Sequence, residues 1–233
     1  MIATMQKTES MSTAVTAVPQ ESRASGSHLF LLFVWTICLA WSAIRPHDYL
    51  TWMLEVFPGV VGMLALIAIY NRFRFTTLVY TLIVLHCAIL FVGGHYTYAE
   101  VPLFNWIRDH FHLARNDYDR VGHFAQGFVP YIIAREIAIR RRIFRTDGWR
   151  IFFCIAMCLG ISALYELIEW QSAVIGGASA NAFLGTQGDP WDTQEDMATA
   201  LFGAAIAGPV MGRLHNRAMA ALAKTNAPGT LTE

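Results

Sequence analysis

The sequence predicts an all-α, polytopic membrane protein with six transmembrane helices and both termini in the cytoplasm. Three observations predict it. Hydrophobic residues make up 55% of the 233 and charged residues 15%, against roughly 25% charged in an ordinary soluble domain. The apolar residues gather in runs close to the ~20 needed for a helix to cross a hydrocarbon core of about 30 Å. Basic residues divide unequally between alternate connections. The 17 Lys+Arg are matched by 17 Asp+Glu. With no basic block, the chain carries no electrostatic footprint for nucleic acid.

The elements follow in chain order. Residues 1–27 are rich in Ser, Thr and Ala without apolar periodicity, which predicts a disordered cytoplasmic tail. Leu29 to Ile44 is the first span of a transmembrane domain over residues 28–216. The polar stretch before it is long for a signal peptide, so this span is expected to stay uncleaved. Further spans are expected at Leu50 to Tyr70, Thr76 to Val92, Val121 to Ile139, Trp149 to Ile175 and Thr193 to Leu214. Residues 217–233 are expected to form a cytoplasmic tail. Between the third and fourth spans, Pro102 to His112 sets Asn105, Arg108, Asp109 and His112 against Phe104, Ile107 and Phe111, the pattern of an interfacial amphipathic helix and a candidate lid. Trp35, Trp41, Trp52, Trp106, Trp149, Trp170 and Trp191 stand mostly near span ends, as in an interfacial belt.

Orientation comes from the basic residues. Lys7, Arg23, Arg72, Arg74, Arg135, Arg140, Arg141, Arg142, Arg145, Arg150, Arg213, Arg217 and Lys224 fall on the side shared by the termini. Only Arg45, Arg108, Arg115 and Arg120 fall on the other. The positive-inside rule makes the first side cytoplasmic. Cys38, Cys87, Cys154 and Cys158 lie in apolar runs without a CxxC, so they read as free, packed thiols.

Carboxylates and histidines converge on the outer ends of spans three to six. His95 closes span three, Asp119 and His123 open span four, Glu166 and Glu169 lie late in span five, and Asp189, Asp192, Glu195 and Asp196 open span six. An unpaired ionisable group in a membrane costs roughly 2.5–3.5 kcal/mol on insertion scales, so such a cluster points to function. Asp119, His123 and Gln126 share one helical stripe at i, i+4 and i+7; Glu166 and Glu169 share another at i, i+3, with Ser162 one turn inward. Asp192 and Asp196 are i, i+4.

Simpler roles compete at several positions. Asp189 followed by Pro190 reads as a helix N-cap with Pro at the first position, and Asp192 would then favour the helix dipole. Asp119 can pair with Arg120, His95 can sit in headgroup water, and Glu136 can pair with Arg140 at i, i+4. Glu55, beside Pro58, is an intramembrane acid with no evident partner.

Two chemistries suit these residues. In one, His95, His123, Glu166, Glu169, Asp192 and Asp196 supply ligands to a divalent metal such as Zn, Mn, Fe or Mg. In the other, Glu166 or Glu169 acts as general base and His123 as proton donor, oriented by Asp119 or Gln126, with Asp196 in the same catalytic set. Either predicts an outward-opening cleft and an enzyme acting on a lipid or cell-envelope precursor from within the bilayer. A proton-coupled transporter using Glu55, Glu136, Glu166 and Glu169 is the alternative from another class, and a noncatalytic envelope-assembly or resistance factor is a third. HxxxH and HxxHH boxes are absent. Gly160 to Ala163 has a GxSx form, but no histidine falls within Thr193 to Leu214 to activate Ser162.

The segments Asn116 to Pro130 (NDYDRVGHFAQGFVP), Tyr165 to Trp170 (YELIEW) and Phe183 to Met197 (FLGTQGDPWDTQEDM) resemble the YjdF-like bacterial inner-membrane proteins. The likeness spans about residues 40–215. It implies a six-span protein of the inner membrane and no particular reaction. A second resemblance is to VanZ-like proteins, whose DKxxHF-type motif would fall on Asp119 to Phe124. Their middle-span acid would be Glu166 or Glu169, and their DxxxNxxG would fall on Asp196 to Gly203, with Ala200 in place of the asparagine.

Overall fold

The computed structural model describes residues 24–176 and 186–226. Residues 1–23 of the tail expected over 1–27, the segment 177–185 and residues 227–233 lie outside the described residues, while Gly26 and Ser27 of that tail belong to the first helix. The described chain is helical: α1 (Gly26–Ser42), α2 (Tyr49–Ile69), α3 (Thr77–Tyr96), α4 (Pro102–Phe111), α5 (Tyr118–Arg140), α6 (Asp147–Gly176) and α7 (Asp192–Asn226), with one 3-10 turn at Tyr98–Glu100.

Local chemistry accounts for several helix ends. Asp48 caps α2 by accepting from the Thr51 N–H at 2.7 Å, and Thr76 caps α3 by accepting from Val79. Pro102 opens α4, where its missing N–H costs nothing, and His112 closes it in the left-handed conformation. The amphipathic helix expected at Pro102 to His112 is therefore present. Its Leu103, Trp106 and Phe111 are exposed, as suits a helix lying at an interface.

Four of these helices, α2, α3, α6 and α7, are long and apolar enough to cross a membrane. α1 is apolar but has 17 residues, a length of about 26 Å. α5 has 23 residues and does not meet the hydropathy criterion. The reason lies in its packing. α5 sits among α3, α6 and α7, and Asp119, His123, Arg135 and Glu136 are buried on it. Phe30, Phe57, Leu64, Leu164 and Phe202, on other helices, are exposed instead, the inside-out pattern expected where the solvent is hydrocarbon.

α5 and α7 run parallel at close range. Small residues make this possible: Ala200, Ala204 and Ala207 are fully buried, and Gly203 lies against the Phe124 carbonyl, where a Cβ would come within 2.4 Å of its oxygen. This is the small-residue packing by which helices associate in membranes. α7 also continues past the expected end at Leu214 to Asn226, so the first part of the expected C-terminal tail is helical. Cys38, Cys87, Cys154 and Cys158 are free thiols, and the last three are buried. Trp35 is buried and Trp52 donates from Nε1 to Ser42 Oγ at 3.0 Å, so these two tryptophans belong to the helix contacts rather than to a belt.

The contact between α5 and α7 ends in a buried polar network. Glu136 accepts from the Thr76 N–H at 3.0 Å, Thr76 Oγ1 at 2.8 Å, Arg140 at 2.7 Å and His215 Nε2 at 2.9 Å. The expected Glu136–Arg140 pair is thus one of four contacts. Arg135 donates to His215 Nδ1 at 3.0 Å. A guanidinium can only donate, so Nδ1 is the acceptor and Nε2 carries the proton given to Glu136. α3, α5 and α7 are joined at this end.

Candidate functional site

At the opposite end, α5, α6 and α7 bring the sequence-selected acids around one imidazole. His123 Nε2 lies 3.5 Å from Asp119 Oδ1, 3.5 Å from Glu166 Oε1 and 3.7 Å from Asp196 Oδ1. Asp119, His123, Glu166, Glu169 and Asp196 are all buried. Two groups of three, Asp119–His123–Asp196 and His123–Glu166–Glu169, each place one ligand atom per residue within 4.8 Å of the others. His123 is common to both. Glu166 Oε1 is buried and has no hydrogen-bond partner.

The tautomer follows from Gln126. His123 Nδ1 is 3.1 Å from Gln126 Oε1, and an amide oxygen only accepts, so Nδ1 carries the proton. Nε2 is then the ring atom that faces three carboxylate oxygens. The separations of 3.5 to 3.7 Å are longer than hydrogen bonds. They match the roughly 3.4 Å expected between two ligands at 2.0–2.2 Å on a tetrahedral metal ion. A cation between these atoms would relieve the repulsion among them.

Two arginines complete the surroundings. Arg120 reaches Glu195 at 2.8 Å, Asp192 at 3.1 Å and Asp189 at 3.6 Å, and also binds Asp196. Arg115 binds Asp192 and lies 3.4 Å from Asp189, 3.7 Å from Asp117 and 3.9 Å from Asp119. Asp192, a sequence-selected ligand, is drawn to these guanidiniums and stands outside both ligand groups. The pair expected between Asp119 and Arg120 is replaced: Arg120 turns to the acids of α7, while Arg115 approaches Asp119. Asp189 does not cap α7, which begins at Asp192. It accepts from the Trp191 N–H at 2.9 Å in a turn.

His95 does not join the cluster. α3 runs past the expected end at Val92 to Tyr96, and this last turn carries His95 to α1. There its Nδ1 is 3.1 Å from the Ser42 carbonyl oxygen and its ring stacks on Trp41 at 4.6 Å.

Other residues escaped selection. Asn116 is fully buried and donates to the Val101 carbonyl and to Asn105 Oδ1. Its backbone N–H and C=O exchange two 2.9 Å hydrogen bonds with the Gln187 amide, tying the approach to α5 to the approach to α7. Glu55 has a partner after all: Tyr165 Oη donates to its Oε2 at 2.9 Å. Tyr165 stands i, i+4 before Glu169, so extending the Glu166–Glu169 stripe by one residue would have exposed it. Glu55, Tyr165, Tyr98, His86, His123 and Glu169 line a cavity of about 150 Å³, room for roughly five waters. Tyr98 is seated there by glycines, since a Cβ on Gly93 would lie 2.2 Å from its ring.

The family model described as a predicted membrane protein, DUF2238, matches residues 27–217. Inner membrane protein YjdF of Escherichia coli (strain K12) is 47% identical over 182 residues, covering 78% of this chain and 87% of that protein. No solved structure matches.

Proposed function

The chain belongs to the DUF2238 family of predicted membrane proteins, and from that premise we propose that it is a metal-dependent enzyme embedded in the membrane. It is an integral protein of the inner membrane, as its relative is. In this reading six helices span, α1 and α5 included, and both termini are cytoplasmic, so the His123 cluster opens at the outer face. The observation that carries the reading is the convergence of Asp119, Glu166 and Asp196 oxygens on Nε2 of His123.

Each residue then has a role. His123, Asp119 and Asp196 would hold a divalent ion, since their ligand atoms lie within 4.8 Å of one another, and one imidazole with two carboxylates suits Zn, Mn, Fe or Mg. Gln126 fixes the imidazole, as a carbonyl behind a metal-bound histidine does. Glu169, on the next turn from Glu166, is the carboxylate placed to serve as general base toward a water, whose acidity a divalent ion would raise. Arg115 and Arg120 hold the acids of α7 in place beside the cluster. The substrate class is a lipid-linked or cell-envelope precursor, hydrolysed or transferred at the interface. α4 supports this choice, because it combines exposed Trp106 and Phe111 with Asn105 bonded to Asn116 beside Arg115.

Metal analysis of the purified protein tests the reading. About one equivalent of divalent metal is expected in the wild type, with loss in His123→Ala and Asp196→Ala. Absence of stoichiometric metal from correctly folded protein after exposure to each candidate ion would sink it. The transporter reading is disfavoured by Glu136, whose four contacts leave it saturated and which lies about 20 Å along α5 from His123.

A further inference from the structure

The arginine-rich end of the bundle holds a second cavity, remote from the His123 cluster. α1 and α2 are joined by a short connection at the other end, and both pack on α3. Toward the arginine-rich end they leave a wedge between them, floored by α3. The wedge is a groove of about 300 Å³ whose walls include Leu32, Met63, Leu66 and Val84. That is room for about ten groups of water or methylene size, too narrow for a folded segment and suited to a length of acyl chain.

One end of the groove is polar and basic. His28 places Nδ1 2.7 Å from Tyr70 Oη and Nε2 3.0 Å from Thr77 Oγ1, joining the start of α1 to the end of α2 and the start of α3. The Ser25 N–H donates to the same Tyr70 oxygen at 3.3 Å. Arg74 lies over the Tyr70 ring at 4.5 Å, and Arg140 and Arg141 lie over Phe73 at 4.2 and 5.1 Å. Arg72 and Arg141 are exposed. Glu136 is the buried acid here and is already saturated by its four donors. An apolar trough between membrane helices with Arg74 stacked on one of its lining residues, Tyr70, has the charge and shape to take an anionic lipid.

We propose that this groove is a binding site for an anionic glycerophospholipid, with one acyl chain between α1 and α2 and the phosphate beside His28, Asn71 and Arg74. The bound lipid fills the wedge that α1 and α2 leave open and fixes α1 against α3. The site shares no residue with the His123 cluster and stands or falls without it.

Native mass spectrometry of the full chain in detergent, challenged with phosphatidylglycerol and phosphatidylcholine of identical chains, tests it. One tightly retained phosphatidylglycerol is expected, favoured over phosphatidylcholine by about fivefold, the discrimination expected of one arginine near a phosphate. The double variant Arg72→Gln/Arg74→Gln should erase most of that preference while leaving metal content at the other end unchanged. Leu66→Trp, which fills the trough, should reduce retention of both lipids. Equal retention of the two lipids by the wild type, or a preference that survives the arginine variant, overturns the proposal. These two results stand even where Leu66→Trp fails to fold.

Discussion

Gly127 of α5 lies so close to Ala200 of α7 that a Cβ added to it would come within 1.8 Å of the Ala200 carbonyl oxygen. The neighbour is backbone and cannot swing aside. Gly127→Ala therefore has to push α5 and α7 apart, at a cost of about 3 kcal/mol. Gly62 on α2 is the control, since a Cβ there meets nothing within 4 Å; Gly62→Ala should gain about 0.5–1 kcal/mol from helix propensity. Thermal unfolding of both variants in one detergent gives the comparison. Equal effects would mean that the α5–α7 approach does not limit stability.

Arg120 neutralises acids that would otherwise repel one another, reaching Asp192, Glu195 and Asp196 together. Removing one member of a buried ion pair costs about 3–5 kcal/mol, because the remaining charge stays buried. Arg120→Gln should lose stability of that order in the absence of metal. A divalent cation should then raise its unfolding temperature by more than it raises that of the wild type, as it replaces the missing charge. Identical cation responses would count against a surplus of negative charge at the site.

The sequence made some of this arrangement legible and hid the rest for a physical reason. The i, i+3 and i, i+4 spacings correctly grouped Asp119 with His123 and Glu166 with Glu169, and found the Glu136–Arg140 pair, because those relations are internal to one helix. They could not say which neighbour each face meets. Arg115 binds Asp192 across 77 positions and Tyr165 meets Glu55 across 110, and no local period encodes such pairs. His95 shows the same limit: one more turn of α3 moved it from the cluster to Trp41. The helix expected at Val121 to Ile139 is α5, and it is less apolar than α2 or α3 because its buried polar residues face inward.

Glu136 joins three helices through its four donors. Glu136→Gln keeps the size of the side chain but turns an amide N–H₂ either toward the Thr76 N–H and Arg140, which can only donate, or toward Thr76 Oγ1 and His215 Nε2, which donate in the wild type. A loss of about 2–4 kcal/mol is expected, the range for leaving buried hydrogen-bonding groups unmatched. Metal content should not change, since the network lies at the other end of α5. Coupled loss of metal would instead mean that the two ends communicate.

Asp48 supplies a pH-dependent term outside the spans. The Thr51 N–H donates to its carboxylate at 2.7 Å and holds its pKa below the usual value of 3.8. The folded-state pKa is depressed, so the stabilisation is fully present above the unfolded value. It is lost as pH falls from about 4 through the lower folded value. Asp48→Ala should cost about 1 kcal/mol at pH 7. Asp48→Asn retains a capping oxygen and should keep most of the stability while removing this acid sensitivity. Unfolding temperatures between pH 2.5 and 7 separate the two.

Gln126 provides the sharpest test of the metal reading because it touches no ligand oxygen. Its amide oxygen accepts from His123 Nδ1 and so leaves Nε2 free to bind. Gln126→Leu removes that acceptor and releases the imidazole to take the other tautomer, in which Nε2–H donates to a carboxylate and cannot coordinate. Metal affinity should fall about 10–100-fold, the usual effect of losing the group behind a ligating histidine. Stoichiometry at saturating metal should persist. Gln126→Glu restores an acceptor at the same distance and should recover affinity. Titration of metal-free protein by calorimetry, across wild type and both variants, reads this out. If Gln126→Leu binds metal as the wild type does, His123 Nε2 is not a ligand.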